Sequence, residues 1–106
     1  MNVTIAAKDD EITDAMRDKA QERADWLARH YEFLKDMNIT LKHEGRRYTA
    51  EFVAKTRKSE TFVASAETED MYKTLDVVAD KMTNQLHKFK ERIKKHRVPN
   101  PDKEAK

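Results

Sequence analysis

Residues 37–67, MNITLKHEGRRYTAEFVAKTRKSETFVASAE, alternate apolar and polar positions in three blocks separated by two short polar breaks. Met37, Ile39 and Leu41 share one face of the first block, Tyr48, Ala50, Phe52 and Ala54 one face of the second, and Phe62, Ala64 and Ala66 one face of the third. A period of two sends successive side chains to opposite sides of an extended backbone, so each block reads as a strand with one buried face. The breaks are too short for anything but hairpins: Gly45, the only glycine, sits in the first, and the basic run TRKS at 56–59 forms the second.

Outward from this meander, NVTIAA points Val3 and Ile5 to one side and predicts a strand over residues 2–6. Between them, KDDEITDAMRDKAQERADWLARHYEF carries acidic residues near its start, Thr13 as an N-cap, and Met16, Ala20, Ala24, Leu27 and Tyr31 at helical spacing. A helix from about Asp14 to about Tyr31 follows. After the meander, Thr68 or Glu69 is expected to open a final helix whose stripe is Tyr72, Leu75, Val78, Ala79, Met82, Leu86, Phe89 and Ile93, ended by Pro99 and Pro101. The order β-α-β-β-β-α predicts an α+β two-layer sandwich, a four-stranded mostly antiparallel sheet with both helices on one face. Residues 1–97 are expected to form the domain and residues 98–106 a flexible tail.

Composition restricts the chemistry. At 106 residues the chain has room for one core. Cysteine is absent, which excludes disulfides and thiolate metal sites. The four histidines, His30, His43, His87 and His96, have no metal-ligand spacing, and no nucleophile elbow or glycine-rich phosphate loop is present, so neither a metal, a cofactor nor an enzyme activity is expected. No apolar run approaches the roughly 18 residues of a membrane span and the N-terminus lacks a signal-peptide pattern, so the expected location is the cytoplasm, away from any membrane.

Charge is unevenly distributed. Residues 1–80 hold 13 Lys and Arg against 17 Asp and Glu, whereas residues 81–97 hold seven against Glu91 alone. Lys81, Lys88, Arg92 and Lys95 line one flank of the final apolar stripe, and Lys90, Lys94 and Arg97 the other. Such lysines can be snorkelling solubilisers. Yet a helix with so few acids lacks the i,i+4 pairs of an ordinary surface helix, and its last-turn dipole does not reach Lys81 or Lys88. Contact with phosphates accounts for the whole set and predicts a polyanionic partner.

Other cations are more ambiguous. On the first helix Arg23 and Arg29 can face the same partner or pair with Glu22, Asp25 and Glu32. Arg46, Arg47, Arg57 and Lys58 are expected to be solvated turn residues. Trp26 follows a polar position, which allows a ring that stacks on a base, but a half-buried core ring is the expectation. Tyr72, Phe89 and Tyr48 are assigned to the core.

ITDAM at 12–16, ITLKHE at 39–44, ASAETEDMYKTLD at 64–76 and DKMTNQLHKFK at 80–90 resemble the ribosome hibernation-promoting factors, the family of the ribosome-associated inhibitor and sigma-54 modulation proteins. The resemblance spans roughly residues 2–96. Its most specific part is Ala64, Ala66, Glu67, Asp70, Met71 and Tyr72, followed by Asp80, Lys81, Gln85, Leu86, Lys88 and Lys90. Asn84 and His87 stand where family members often carry further arginines.

The resemblance implies the same sandwich, similar in topology to duplex-RNA-binding domains. It also implies a stress or stationary-phase protein, monomeric off the ribosome, that occupies the decoding channel of the small ribosomal subunit. By position, Lys81, Gln85, Lys88, Lys90, Arg92 and Lys95, with Arg23 and Arg29, would contact 16S ribosomal RNA. Longer members carry a second, dimer-forming domain, so the short promoting type is implied, pairing ribosomes with the help of ribosome modulation factor. Three alternatives stand beside it: an inhibitor-type member that keeps single ribosomes idle, a protein-interaction modulator of transcription, and a general duplex-RNA binder. The last lacks the lysine-rich helix start of such domains.

Overall fold

The computed structural model describes the backbone of residues 1–97 and the side chains of residues 1–94. The tail expected over 98–106 lies outside these residues, as do the side chains of Lys95 and Arg97. The elements are β1 (Asn2–Ala7), α1 (Asp14–His30), β2 (Leu34–Glu44), β3 (Arg47–Thr56), β4 (Thr61–Thr68) and α2 (Met71–Arg97). The strands lie in sequence order, β1 parallel to β2 and the other neighbours antiparallel. This is the expected β-α-β-β-β-α sandwich.

Register turns the alternation into three rows across the sheet. Val3, Met37, Ala54 and Phe62 form one, Ile5, Ile39, Phe52 and Ala64 the next, and Ala7, Leu41, Ala50 and Ala66 the third. Both helices lie on that face, and Leu27, Met71, Leu75, Met82 and Leu86 complete the core there. The opposite face carries Asn38, Glu51, Lys55 and Ser65, all exposed, so the hydrophobic effect holds the layers together from one side only. Among the described residues no helix is long and apolar enough to cross a membrane.

The caps follow local chemistry. Thr13 has an extended backbone and its hydroxyl accepts from the Met16 N–H at 3.2 Å, the expected N-cap of α1. The start of α2 differs from the expectation of Thr68 or Glu69. Thr68 ends β4, and the helix begins at Met71, capped by Asp70, whose carboxylate accepts from the Tyr72 N–H at 3.0 Å. The Thr68 hydroxyl instead accepts from the Asp70 N–H and bonds the buried Thr74 hydroxyl at 2.7 Å, joining strand end to helix start. With Met71 as the first inward residue, Tyr72 lies about 100° around the helix and is 40% exposed, which corrects its assignment to the core.

At the other end of the sheet, the β3–β4 turn is built around buried Thr56. Its hydroxyl accepts from the Lys58 and Glu60 N–H groups, each at 3.1 Å, and Ser59 adopts a φ of 67°. The Arg57 N–H donates to the Phe33 carbonyl at 2.9 Å, so this turn is tied to the segment between α1 and β2. The Phe89 ring meets Phe33 and Phe62 at centroid distances of 5.2 Å, and α2 continues for about two turns beyond it.

Candidate nucleic-acid interface

Of the eight residues expected to meet RNA, the seven whose side chains are described fall into two groups. The first part of the set lies beside the sheet edge and contacts the fold. Lys81 Nζ donates to the Ser65 carbonyl and Gln85 Nε2 to the Val63 carbonyl, both at 2.9 Å. These carbonyls lie on β4, a sheet edge, so this flank of α2 closes two of the unpaired acceptors that an edge strand presents. Rising helix numbers against falling strand numbers also show that α2 runs antiparallel to β4. Arg23 is engaged as well: its guanidinium donates to the Asp76 carboxylate, bridging α1 to α2, while its Nε is buried without a partner among the described residues.

The second part gathers where α1 and α2 both end. Lys88, Lys90, Arg92 and Lys94 are exposed on α2. The Lys90 ammonium lies 5.7 Å from the Tyr31 ring centroid and the Arg92 guanidinium 5.3 Å from that of Phe89, so each of the two cations lies near an aromatic ring. Arg29, Lys90 and Lys94 share the lining of a groove of about 280 Å³ with Tyr31 and Phe33. Burial pushes the Tyr31 phenol above the ordinary tyrosine pKa. Lys95 belongs to the last turns of α2, with its side chain outside the described residues.

Two cations assigned to a solvated turn belong to this same end. Arg57 and Lys58 line a second hollow of about 490 Å³ with Glu32, Phe33 and Ile93. Their signal in the sequence is the basic TRKS run, but only the Arg57–Phe33 backbone bond reveals that the turn folds beside the helix ends. Arg46 and Arg47 stay apart, at the opposite end of β3 and on the order of 30 Å away, where Arg47 pairs with Glu67 at 3.1 Å. Glu91, the lone acid of the basic segment, sits 3.9 Å from His87.

Trp26 corrects its expected place in the core. Ala24 and Leu27 take the inward positions of α1, and Trp26 is 37% exposed, stacked on His30 with centroids 3.9 Å apart and planes 23° from parallel. The resulting site is a cationic end with exposed and edge-on aromatic rings, which suits phosphates flanked by bases.

Comparison with known proteins gives a consistent result. Residues 3–94 match the model of a family described as sigma 54 modulation protein / S30EA ribosomal protein. A ribosome hibernation promoting factor of Azotobacter vinelandii is 35% identical over 92 residues, covering 87% of this chain and 85% of that one. The factor of the same name from Escherichia coli K12 is 30% identical over 96 residues, 91% of this chain and 100% of that one. Among solved structures, the N-terminal domain of Thermus thermophilus Protein Y superposes with a TM-score of 0.73 at 25% identity, over 84% of this chain and 99% of that one. A ribosomal subunit interface protein from Coxiella burnetii shares the fold with a TM-score of 0.77 at 23% identity, over 86% and 99%.

Proposed function

The chain belongs to the sigma 54 modulation protein / S30EA ribosomal protein family, and on that premise we propose that it is a cytoplasmic ribosome hibernation factor. It binds the decoding channel of the small subunit through ribosomal RNA phosphates. Inhibition is steric: the protein fills space that messenger RNA and transfer RNAs need, and with ribosome modulation factor it favours ribosome pairs. Relatives covered over 85–100% of their length carry the name ribosome hibernation promoting factor, which supports this type.

The observation that carries the reading is the convergence of Arg29, Arg57, Lys58, Lys88, Lys90, Arg92 and Lys94 from three segments onto one end of the molecule. Phosphates facing that end release counterions from many sites at once, and the gain rises with each contact. Lys95 and Arg97 belong to the same segment of sequence and join the proposal. Lys81, Gln85 and Arg23 enter it differently, as residues that hold α2 in position through the contacts described above.

Co-sedimentation with small subunits across a salt series tests the proposal. Association should weaken by about 0.7–0.9 log units per log unit of salt for every phosphate contact. The Lys88→Glu/Arg92→Glu variant should stay in the unbound fraction while remaining folded, since both side chains are exposed. Salt-independent association, or unchanged sedimentation of the double variant, would overturn it. Adding ribosome modulation factor to the same gradients tests the pairing of ribosomes.

A further inference from the structure

Trp26 and His30 form a stacked pair on the surface of α1, and the second ring also lines the groove at the helix ends. The pair is held in place: His30 Nδ1–H donates to the Trp26 carbonyl at 2.9 Å, which fixes the imidazole over the indole. Around the groove, Arg29, Lys90 and Lys94 outnumber its one carboxylate, Glu32. A volume of about 280 Å³ lies just below the range of about 300–1,000 Å³ typical of small-molecule sites. It is therefore close in size to one nucleoside.

We propose that this groove receives a single unstacked nucleotide of a single-stranded RNA segment, its base extending the Trp26–His30 stack and its phosphate held by Arg29 and Lys94. The physical basis is the usual one for single-strand capture, in which an aromatic platform takes the base face and neighbouring cations track the backbone. The inference rests on the RNA-binding reading but adds to it an unpaired base, which phosphate contacts alone do not require.

Trp26 is the only tryptophan, so its fluorescence reports on the stack. The full chain would be titrated with pentacytidylate and with a pentamer of the same backbone lacking its bases, following both Trp26 emission and the anisotropy of an end-labelled strand. Pentacytidylate should quench Trp26 and bind about tenfold more tightly than the abasic strand. His30→Ala should reduce that difference to less than about twofold by anisotropy.

Equal affinity for the two strands, or an unaltered preference in His30→Ala, would overturn the proposal. Cytidine monophosphate binding as tightly as the pentamer would also overturn it, in favour of a free ligand. Small-subunit sedimentation of the same preparation separates the two levels. A chain that sediments yet ignores the bases refutes the groove alone, and one that does neither refutes the ribosomal reading too.

Discussion

The Lys81 ammonium donates a 2.9 Å hydrogen bond to the Ser65 carbonyl, so the first cation of the basic segment is anchored to the edge of the sheet. Gln85 repeats the contact one turn later at Val63. Replacing both, as in Lys81→Met/Gln85→Leu, returns two edge carbonyls to water. Each bond is exposed and worth about 0.5–1.5 kcal/mol at most, so urea unfolding should show a loss of about 1–2 kcal/mol. The uncovered edge should also self-associate, which sedimentation velocity would detect as concentration-dependent dimers. Lys81→Met alone should weaken small-subunit association less than Lys88→Met, because the Lys81 ammonium is already engaged by the Ser65 carbonyl.

Arg23 and Asp76 make the corresponding link between the helices. The Asp76 side chain is 52% exposed, so water screens the pair, and Asp76→Ala should cost about 1 kcal/mol or less. Asp76→Arg should cost more, since it adds like-charge repulsion to the lost bond. Thermal melts in low and high salt check the origin of the effect. The difference between Asp76→Arg and wild type should shrink in about 1 M salt, where the Debye length is about 3 Å.

These contacts mark what could be read from the sequence and what could not. Period-two alternation located β2, β3 and β4 because one face of each strand is buried, and the Thr13 cap was legible because its bond is local. The α2 start was misplaced because Thr68 has cap chemistry yet uses its hydroxyl to join β4 to Thr74. Charge counting found the basic helix but not which of its cations also bond the fold. That Lys81 reaches Ser65 depends on where β4 lies, a long-range relation with no local signal. The same holds for Arg57 and Lys58, which reach the helix ends through a backbone bond to Phe33, and for Trp26, whose neighbour His30 is identifiable by i,i+4 spacing only once the inward stripe is known.

Gly45 and Ser59 occupy left-handed backbone positions, with φ of 63° and 67°. A Cβ on Gly45 meets nothing within 4 Å, so Gly45→Ala should suffer only the conformational penalty, about 1 kcal/mol. Ser59 already bears that strain. Ser59→Gly relieves it while adding freedom to the unfolded chain, and the net gain should be about 0.5 kcal/mol. Opposite shifts in the urea midpoint, with an unchanged slope, would verify the pair.

Tyr31 couples stability to alkaline pH. The residue is 7% exposed, and desolvation disfavours the phenolate, so the folded chain holds this proton to a higher pH than the unfolded chain, which releases it near the ordinary value of about 10. Below that value both states are protonated and the full stability is present. Above it the unfolded state alone ionises, so stability falls until the folded pKa is reached. The urea midpoint should therefore be insensitive to Tyr31 at neutral pH and decline above about pH 10. Tyr31→Phe keeps the ring beneath Lys90 but has no proton to lose, so the decline should become shallower in that variant. An equally steep decline in both proteins would show that Tyr31 ionises alike in the folded and unfolded chains.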